Sequence, residues 1–179
     1  MAAARAGQPG KLEILDLRHF RSADFASLLE EEGRIWAERL CWDFTASADI
    51  VRRYLDQRAL NGYALVDGST PVGYGYYVPD EHKALIGDLF VSAPYRTQET
   101  EHTLLRHVIE TAQHVPGVRR IEGQLMMVES PGVAALYPPS ELAVFERNFM
   151  LVESIGRLPR EAFGAAARGD VVFERWSEK

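Results

Sequence analysis

GDLFVSAPYRTQETEHTLL, Gly87 to Leu105, is the stretch on which the fold turns. Its opening, DLFV, is apolar enough for a strand end. A turn at Ala93-Pro94-Tyr95 follows, and then a polar segment that runs into Leu104-Leu105. Leu104, Leu105, Val108, Ile109 and Ala112 recur at helical spacing, and Pro116-Gly117 ends the pattern. The stretch therefore reads as a strand leading through a turn into a helix N-terminus. Such an N-terminus carries unpaired N–H groups and about half a positive charge, which makes it an anion site. A phosphate site of this kind wants glycines, so that the backbone can approach the anion. Here Glu99 and Glu101 stand in the loop instead.

Outward from this stretch, the pattern alternates. LEILDL (Leu12–Leu17) reads as a strand. Phe25, Leu28, Leu29, Trp36 and Leu40 mark a long helix. Thr45 or Ser47 is placed to cap a second helix with Ile50, Val51, Tyr54 and Leu55 as its apolar stripe and Asn61-Gly62 as its stop. GYALVDGSTPVGYGYYV reads as a hairpin turning at Asp67-Gly68. His82–Val91 follows as another strand, after a break at Pro79-Asp80. Beyond the central helix, Arg119–Val128 reads as a strand, Pro138-Pro139-Ser140 opens a short helix, and Met150–Ile155 and Val171–Trp176 read as the last strands. The order predicts an α+β fold: a mixed, mostly antiparallel sheet with helices on both faces and a central β–α–β crossover.

Composition bounds the reading. With 179 residues, 46 % hydrophobic and 26 % charged, the chain suits one domain with a sizeable core. Residues 1–10 read as a loose tail and 11–179 as a single domain. A net charge of −6 argues against a nucleic-acid partner. No apolar run has membrane-span length, and the start lacks a signal-peptide core, so a cytoplasmic location is expected. Cys41 is the single cysteine and is expected to be buried packing. The histidines lack metal-site spacing, so no metal is expected. The run Glu30-Glu31-Glu32 reads as a solvated helix face. Arg157–Asp170, rich in small residues, reads as an irregular excursion.

From about Leu12 to Trp176 the order resembles the GNAT superfamily of acyl-CoA-dependent N-acyltransferases. The resemblance is carried by Asp88-Leu89-Phe90-Val91, Tyr95-Arg96 and Leu104-Leu105, with support from the hairpin ALVDGSTPVGYGYYV and from AVFERNF (Ala143–Phe149). Arg96 takes the first position of the family's Arg/Gln-x-x-Gly-x-Gly/Ala loop, Thr97 and Gln98 are its variable pair, and Glu99 and Glu101 fall on its glycine positions. The resemblance implies acetyl-CoA or another acyl-CoA as acyl donor. Its pantetheine arm would pair with the strand end at Leu89, Phe90 and Val91, and its phosphates would lie near Arg96, Thr97, Gln98, Glu99, Thr100, Glu101 and His102. The acceptor would be an amine, on a small molecule or a peptide. Phe145 falls where the family often has a tyrosine acid, which leaves Tyr137 upstream as the candidate substitute.

Asp88 is the candidate polar group on the catalytic strand, as a base or water holder; its plain alternative is a carboxylate capping a nearby loop. Tyr74 and Tyr76 share a strand face, as pocket lining or as ordinary sheet packing. At the loop, a carboxylate about 5 Å from a phosphate costs on the order of 3 kcal/mol at an effective dielectric of ~20. The same glutamates favour a helix start by roughly 0.3–1 kcal/mol each. Two functions therefore stand side by side: an N-acyltransferase with a divergent loop, and a GNAT-fold binding protein that has lost CoA.

Overall fold

The computed structural model describes residues 11–128 together with Ala143 and Phe145. The chain divides into two units, Met1–Phe145 and Glu146–Lys179, and all the elements below lie in the first. The helix expected at Pro138–Ser140, Tyr137, and the two last strands lie outside the described residues.

Strand β1 (Leu12–Asp16) leads through 3-10 turns into helix α1 (Ala26–Leu40) and helix α2 (Thr45–Asp56). Strands β2 (Asn61–Asp67), β3 (Thr70–Asp80) and β4 (Lys83–Val91) follow, then helix α3 (Gln98–Gln113) and strand β5 (Arg120–Gly123). The five strands lie in sequence order in one sheet. Strands β1 to β4 pair antiparallel, and β4 pairs parallel with β5, so α3 is the crossover between them. This is the expected mixed sheet. The hairpin turns at Asp67-Gly68, where Gly68 takes a φ of 61° that a side chain would oppose.

The sheet is buried on both faces. Ala64, Val66, Tyr74 and Phe90 join Phe25, Leu28, Leu29, Val51 and Leu55 in one core, under α1 and α2. Leu65, Val72, Leu89 and Val91 join Leu104, Leu105, Val108 and Ala112 in the other, under α3. Two-sided burial is why the strands read as continuous apolar runs. In α3 the helical phase is the one the spacing predicts: Leu104, Leu105, Val108 and Ala112 are buried, while Arg106, Glu110 and Gln113 are exposed.

Several local expectations are corrected. Helix α2 ends at Asp56, with Arg58 in the left-handed region, and Asn61-Gly62 already belongs to β2. Its start is held by Asp43, whose carboxylate accepts the Thr45 N–H at 2.9 Å, and not by Thr45 or Ser47. Its buried stripe is Ala48, Val51 and Leu55; Ile50 and Tyr54 are exposed because the next turn of the stripe falls on Ala48 and not on them. Cys41 is exposed, at a left-handed residue that ends α1. Strand β3 runs through Pro79-Asp80, and β5 stops at Gly123, well short of Val128. The acidic run is not one solvated face: Glu30 is exposed, Glu31 accepts the Ala93 N–H at 2.8 Å, and Glu32 is buried.

Leu105→Ala should cost roughly 2–5 kcal/mol, since Leu105 is fully enclosed between α3 and the sheet. Urea melts check this. An unchanged denaturant slope would place the loss in the folded core and not in the unfolded ensemble.

Candidate functional site

Strand β4 carries a β-bulge at its centre. Tyr76 pairs with Asp88 and Tyr77 with Ile86, so Gly87 is the extra residue. A side chain at Gly87 would stand 2.1 Å from the Tyr76 ring, so only glycine fits. The bulge reverses the alternation along β4. Ala84 and Ile86 face α3, as do Leu89 and Val91. Without the extra residue Asp88 would point the same way as Ile86. With it, Asp88 shares the opposite face with Tyr74, Tyr76 and Phe90, toward α1.

Pairing with β5 ends at Ile86 opposite Gly123, so Gly87–Val91 has no strand partner on that side among the described residues. The Ser92 N–H bonds to the Val72 carbonyl at 2.8 Å, which turns Phe90 and Asp88 toward β3 as well. Leu89 and Val91 therefore point their backbone groups out of the open edge. Two of these groups are met by side chains. Asp88 Oδ1 accepts the Leu89 N–H at 2.8 Å. Arg96 donates from Nε and Nη2 to the Val91 carbonyl at 3.0 and 2.8 Å, and its guanidinium lies 5.1 Å from the centre of the Phe90 ring.

Above Asp88 lies a buried carboxyl pair. Glu32, on α1, is 0 % exposed, and Asp88 is 6 % exposed. The Tyr74 hydroxyl donates to Glu32 Oε2 at 2.6 Å, and Trp36 Nε1 donates to Oε1 at 3.3 Å. The two carboxyls are neighbours, each acting on the ionisation of the other. Burial, and then the neighbouring Asp88 charge, push the Glu32 carboxyl well above the usual range. Burial likewise raises Asp88, against the lowering effect of its bonds to Glu32 and Leu89. Burial next to these two carboxyls also pushes the Tyr74 and Tyr76 hydroxyls up, so both stay neutral donors. Tyr76 stacks on Tyr74, with ring centres 6.2 Å apart and planes within 4°. Of the two readings of these tyrosines, packing holds for both, and Tyr74 is a polar partner besides. Glu32 had no signal of its own in the sequence. Only its place at the end of an acidic run, one turn before Trp36, set it on the inner face of α1.

At the other end of the open edge, α3 begins with a reciprocal cap. Thr97 Oγ1 accepts the Thr100 N–H at 3.1 Å, and Thr100 Oγ1 accepts the Thr97 N–H at 3.0 Å. Gln98 and Glu99 are exposed in the first turn. Glu101 is half-buried, with a carboxylate oxygen 3.9 Å from Arg96 Nε. His102 is half-buried, and its Nε2 is the one buried side-chain polar atom without a partner among the described residues. The structure thus brings Leu89, Phe90, Val91 and Arg96 together with the Thr97–His102 helix entry. Phe145 is 82 % exposed.

The profile of the Acetyltransferase (GNAT) family matches residues 18–137, well over half of the chain. The chain belongs to the GNAT acetyltransferase family. No curated protein matches it in sequence. Its fold is similar to that of a possible acetyltransferase from Clostridium difficile 630, with a TM-score of 0.51 at 12 % identity, over 80 % of this chain and 98 % of that one. It is similar too to an acetyltransferase of Trypanosoma brucei, with a TM-score of 0.51 at 18 % identity, over 79 % of this chain and 99 % of that one. A probable acetyltransferase aligns with a TM-score of 0.52 at 18 % identity, over 80 % of this chain and 98 % of that one. At such identities the likeness is one of fold. No described helix of this GNAT chain is long and apolar enough to cross a membrane.

Tyr74→Phe should destabilise the chain by about 1–3 kcal/mol, because it removes the hydroxyl donor from a buried carboxyl and leaves that oxygen unmet. A pH dependence follows from the same pair. Unfolded carboxyls titrate near about 4. The folded pair binds its proton more tightly than that, so the folded state holds more protons above this pH. Stability should therefore fall as pH rises from about 4 through the raised value. Glu32→Gln should flatten this slope in urea melts over a pH series.

Proposed function

We propose that the protein transfers an acyl group from acyl-CoA to an amine along the open edge of β4. The observation that carries this reading is the edge itself. It offers outward backbone groups at Leu89 and Val91, beside the Asp88 carboxyl at one end and the α3 N-terminus at the other.

An extended ligand with amide groups adds to such an edge as a further strand would. The Leu89 carbonyl and the Val91 N–H are the groups it would meet first. The Val91 carbonyl becomes available when Arg96 leaves it. The donor arm fits this end of the site. The phosphate end is less accommodating, since Thr97 already satisfies one first-turn donor and Glu99 and Glu101 add negative charge. Arg96 is the cation placed to offset them, and His102 Nε2 is a further polar atom with no partner among the described residues. When bound, acyl-CoA supplies the activated thioester carbonyl. The protein's part is to hold that carbonyl near Leu89, exclude water with the apolar walls of both cores, and accept a proton from the incoming ammonium at Asp88. Tyr137 and Phe145 take no part in this account.

The second reading, a GNAT-fold protein without CoA binding, rests on Glu99 and Glu101. Calorimetric titration with acetyl-CoA and with free CoA separates the two. The acyltransferase reading expects binding of both, and no heat with either would end it. Glu99→Gly with Glu101→Gly should tighten CoA binding several-fold, by removing side chains and charge from the helix entry. Moderate salt should weaken CoA binding less in the unmodified chain than in the double variant, because screening also relieves repulsion. Identical affinity and salt dependence in the two proteins would mean that the glutamates point away from the phosphates.

A further inference from the structure

We propose that Glu32 and Asp88 hold a single proton between them and act as one base, with Glu32 as the positioning residue that keeps the proton and Asp88 as the member that meets the amine. The base half of this proposal rests on the acyl-transfer reading. The shared proton does not.

Glu32 comes from α1, Asp88 from β4, and Tyr74 and Tyr76 from β3. Trp36, one turn along α1, adds an indole N–H. Among the described residues, these are the polar and titratable groups that face the pair. Phe25 and Phe90 complete the same core, with Met127 from the segment after β5. Among the described residues, no ion pair from lysine, arginine or histidine reaches either carboxyl. Two ionised carboxylates enclosed together, with no cation among the described residues to offset them, would destabilise the fold strongly. One proton between them removes one charge and lets one carboxyl donate to the other.

The bonds also say which carboxyl keeps the proton. Asp88 Oδ1 accepts a backbone N–H, a bond that favours an ionised group. It is also the less enclosed of the two and lies next to the outward-pointing edge of Leu89. Glu32 is fully enclosed, and its protonated form can donate to Asp88 while accepting from Tyr74 and Trp36. The pair then carries one negative charge, located at Asp88. An ammonium group arriving there gives up one proton: a singly charged pair and a cation become two neutral carboxyls and a free amine. The proton later returns to water and restores the pair. A neutral pair at the end of this step leaves no buried charge, which is why a shared proton suits this enclosed place better than a lone carboxylate.

Infrared spectroscopy on the full chain without ligand tests the first half. A protonated carboxyl has a C=O stretch separate from the carboxylate bands. The band should persist at neutral pH in the unmodified protein and vanish in Glu32→Gln, which keeps the side-chain shape and the Tyr74 bond. It should remain, shifted, in Asp88→Asn, where Glu32 stays protonated beside an amide. Absence of the band at neutral pH, or its persistence in Glu32→Gln, overturns the shared proton. If Glu32→Gln does not fold, Tyr74→Phe serves, and should move the band by removing one bond to the same group. The second half is tested by thiol release from acetyl-CoA with a panel of primary amines. Glu32→Gln should shift the acid limb of the pH–kcat/KM profile up, because Asp88 loses the bond from the Glu32 carboxyl that favours its ionised form, with the KM for acetyl-CoA unchanged. Asp88→Asn should lower kcat at least tenfold. An unshifted profile, or an unmodified protein that binds acetyl-CoA and acylates none of the amines, overturns the base assignment while the infrared result stands. Failure to bind acetyl-CoA at all would instead overturn the acyl-transfer reading.

Discussion

Strand β4 has to satisfy two cores and two neighbours at once, and the single extra residue at Gly87 is how it does so. Before the bulge it is paired on both sides and sends Ala84 and Ile86 into the core under α3. After the bulge it is paired, among the described residues, only with β3, and its alternation is reversed. The reversal turns a charged side chain toward α1, and the loss of β5 opens a backbone edge beside it. Carboxyl, open edge and turn into α3 thus follow from one interruption of the ladder. Glycine is required there because the Tyr76 ring fills the space where a side chain would begin.

The carboxyl pair is held by its donors. A buried carboxyl needs partners on its oxygens, and Glu32 draws them from two elements, Tyr74 on β3 and Trp36 on α1. The Tyr74 bond ties α1 to the sheet at a point where burial by itself would favour an apolar residue. Glu31, one residue earlier, takes the Ala93 N–H and so ties the same helix to the turn that leads into α3. Adjacent acidic residues thus anchor α1 to β3 and to the turn after β4, one from inside the core and one from its rim.

The entry of α3 combines helix physics with ligand physics, and the two do not ask for the same residues. A free helix is best started by a cap such as Thr97 with acidic residues in the first turn. A phosphate site is best started by bare backbone and positive charge. This chain follows the first prescription at Thr97, Glu99 and Thr100 and keeps part of the second in Arg96. Arg96 meanwhile rests on the Val91 carbonyl and near Glu101, which keeps a cation at the meeting point of strand edge and helix start.

The fold was legible in the sequence because it rests on periodicity and turn chemistry, which are local. The runs at Leu12–Leu17 and His82–Val91, the Asp67-Gly68 hairpin, and the Leu104, Leu105, Val108, Ala112 stripe each announce their own element. Their order alone suggests a mixed sheet with a crossover. Asp88 was visible as a charge within an apolar strand, and Glu99 and Glu101 as departures from a known loop. What the sequence could not show is where a side chain goes when the ladder slips. A bulge changes no residue, only the parity of those that follow, so the face of Asp88 was open until β3 and β4 were paired. The same limit hid Glu32, which reads as one more solvated glutamate until α1 is laid against the sheet. Cys41 and the Ile50, Tyr54 pair went the other way, apolar or small enough to be read as core and left outside by the packing of α1 and α2. Local pattern determined the elements, and tertiary contact decided which polar groups met, because a buried hydrogen bond between distant residues leaves no trace in the spacing of either.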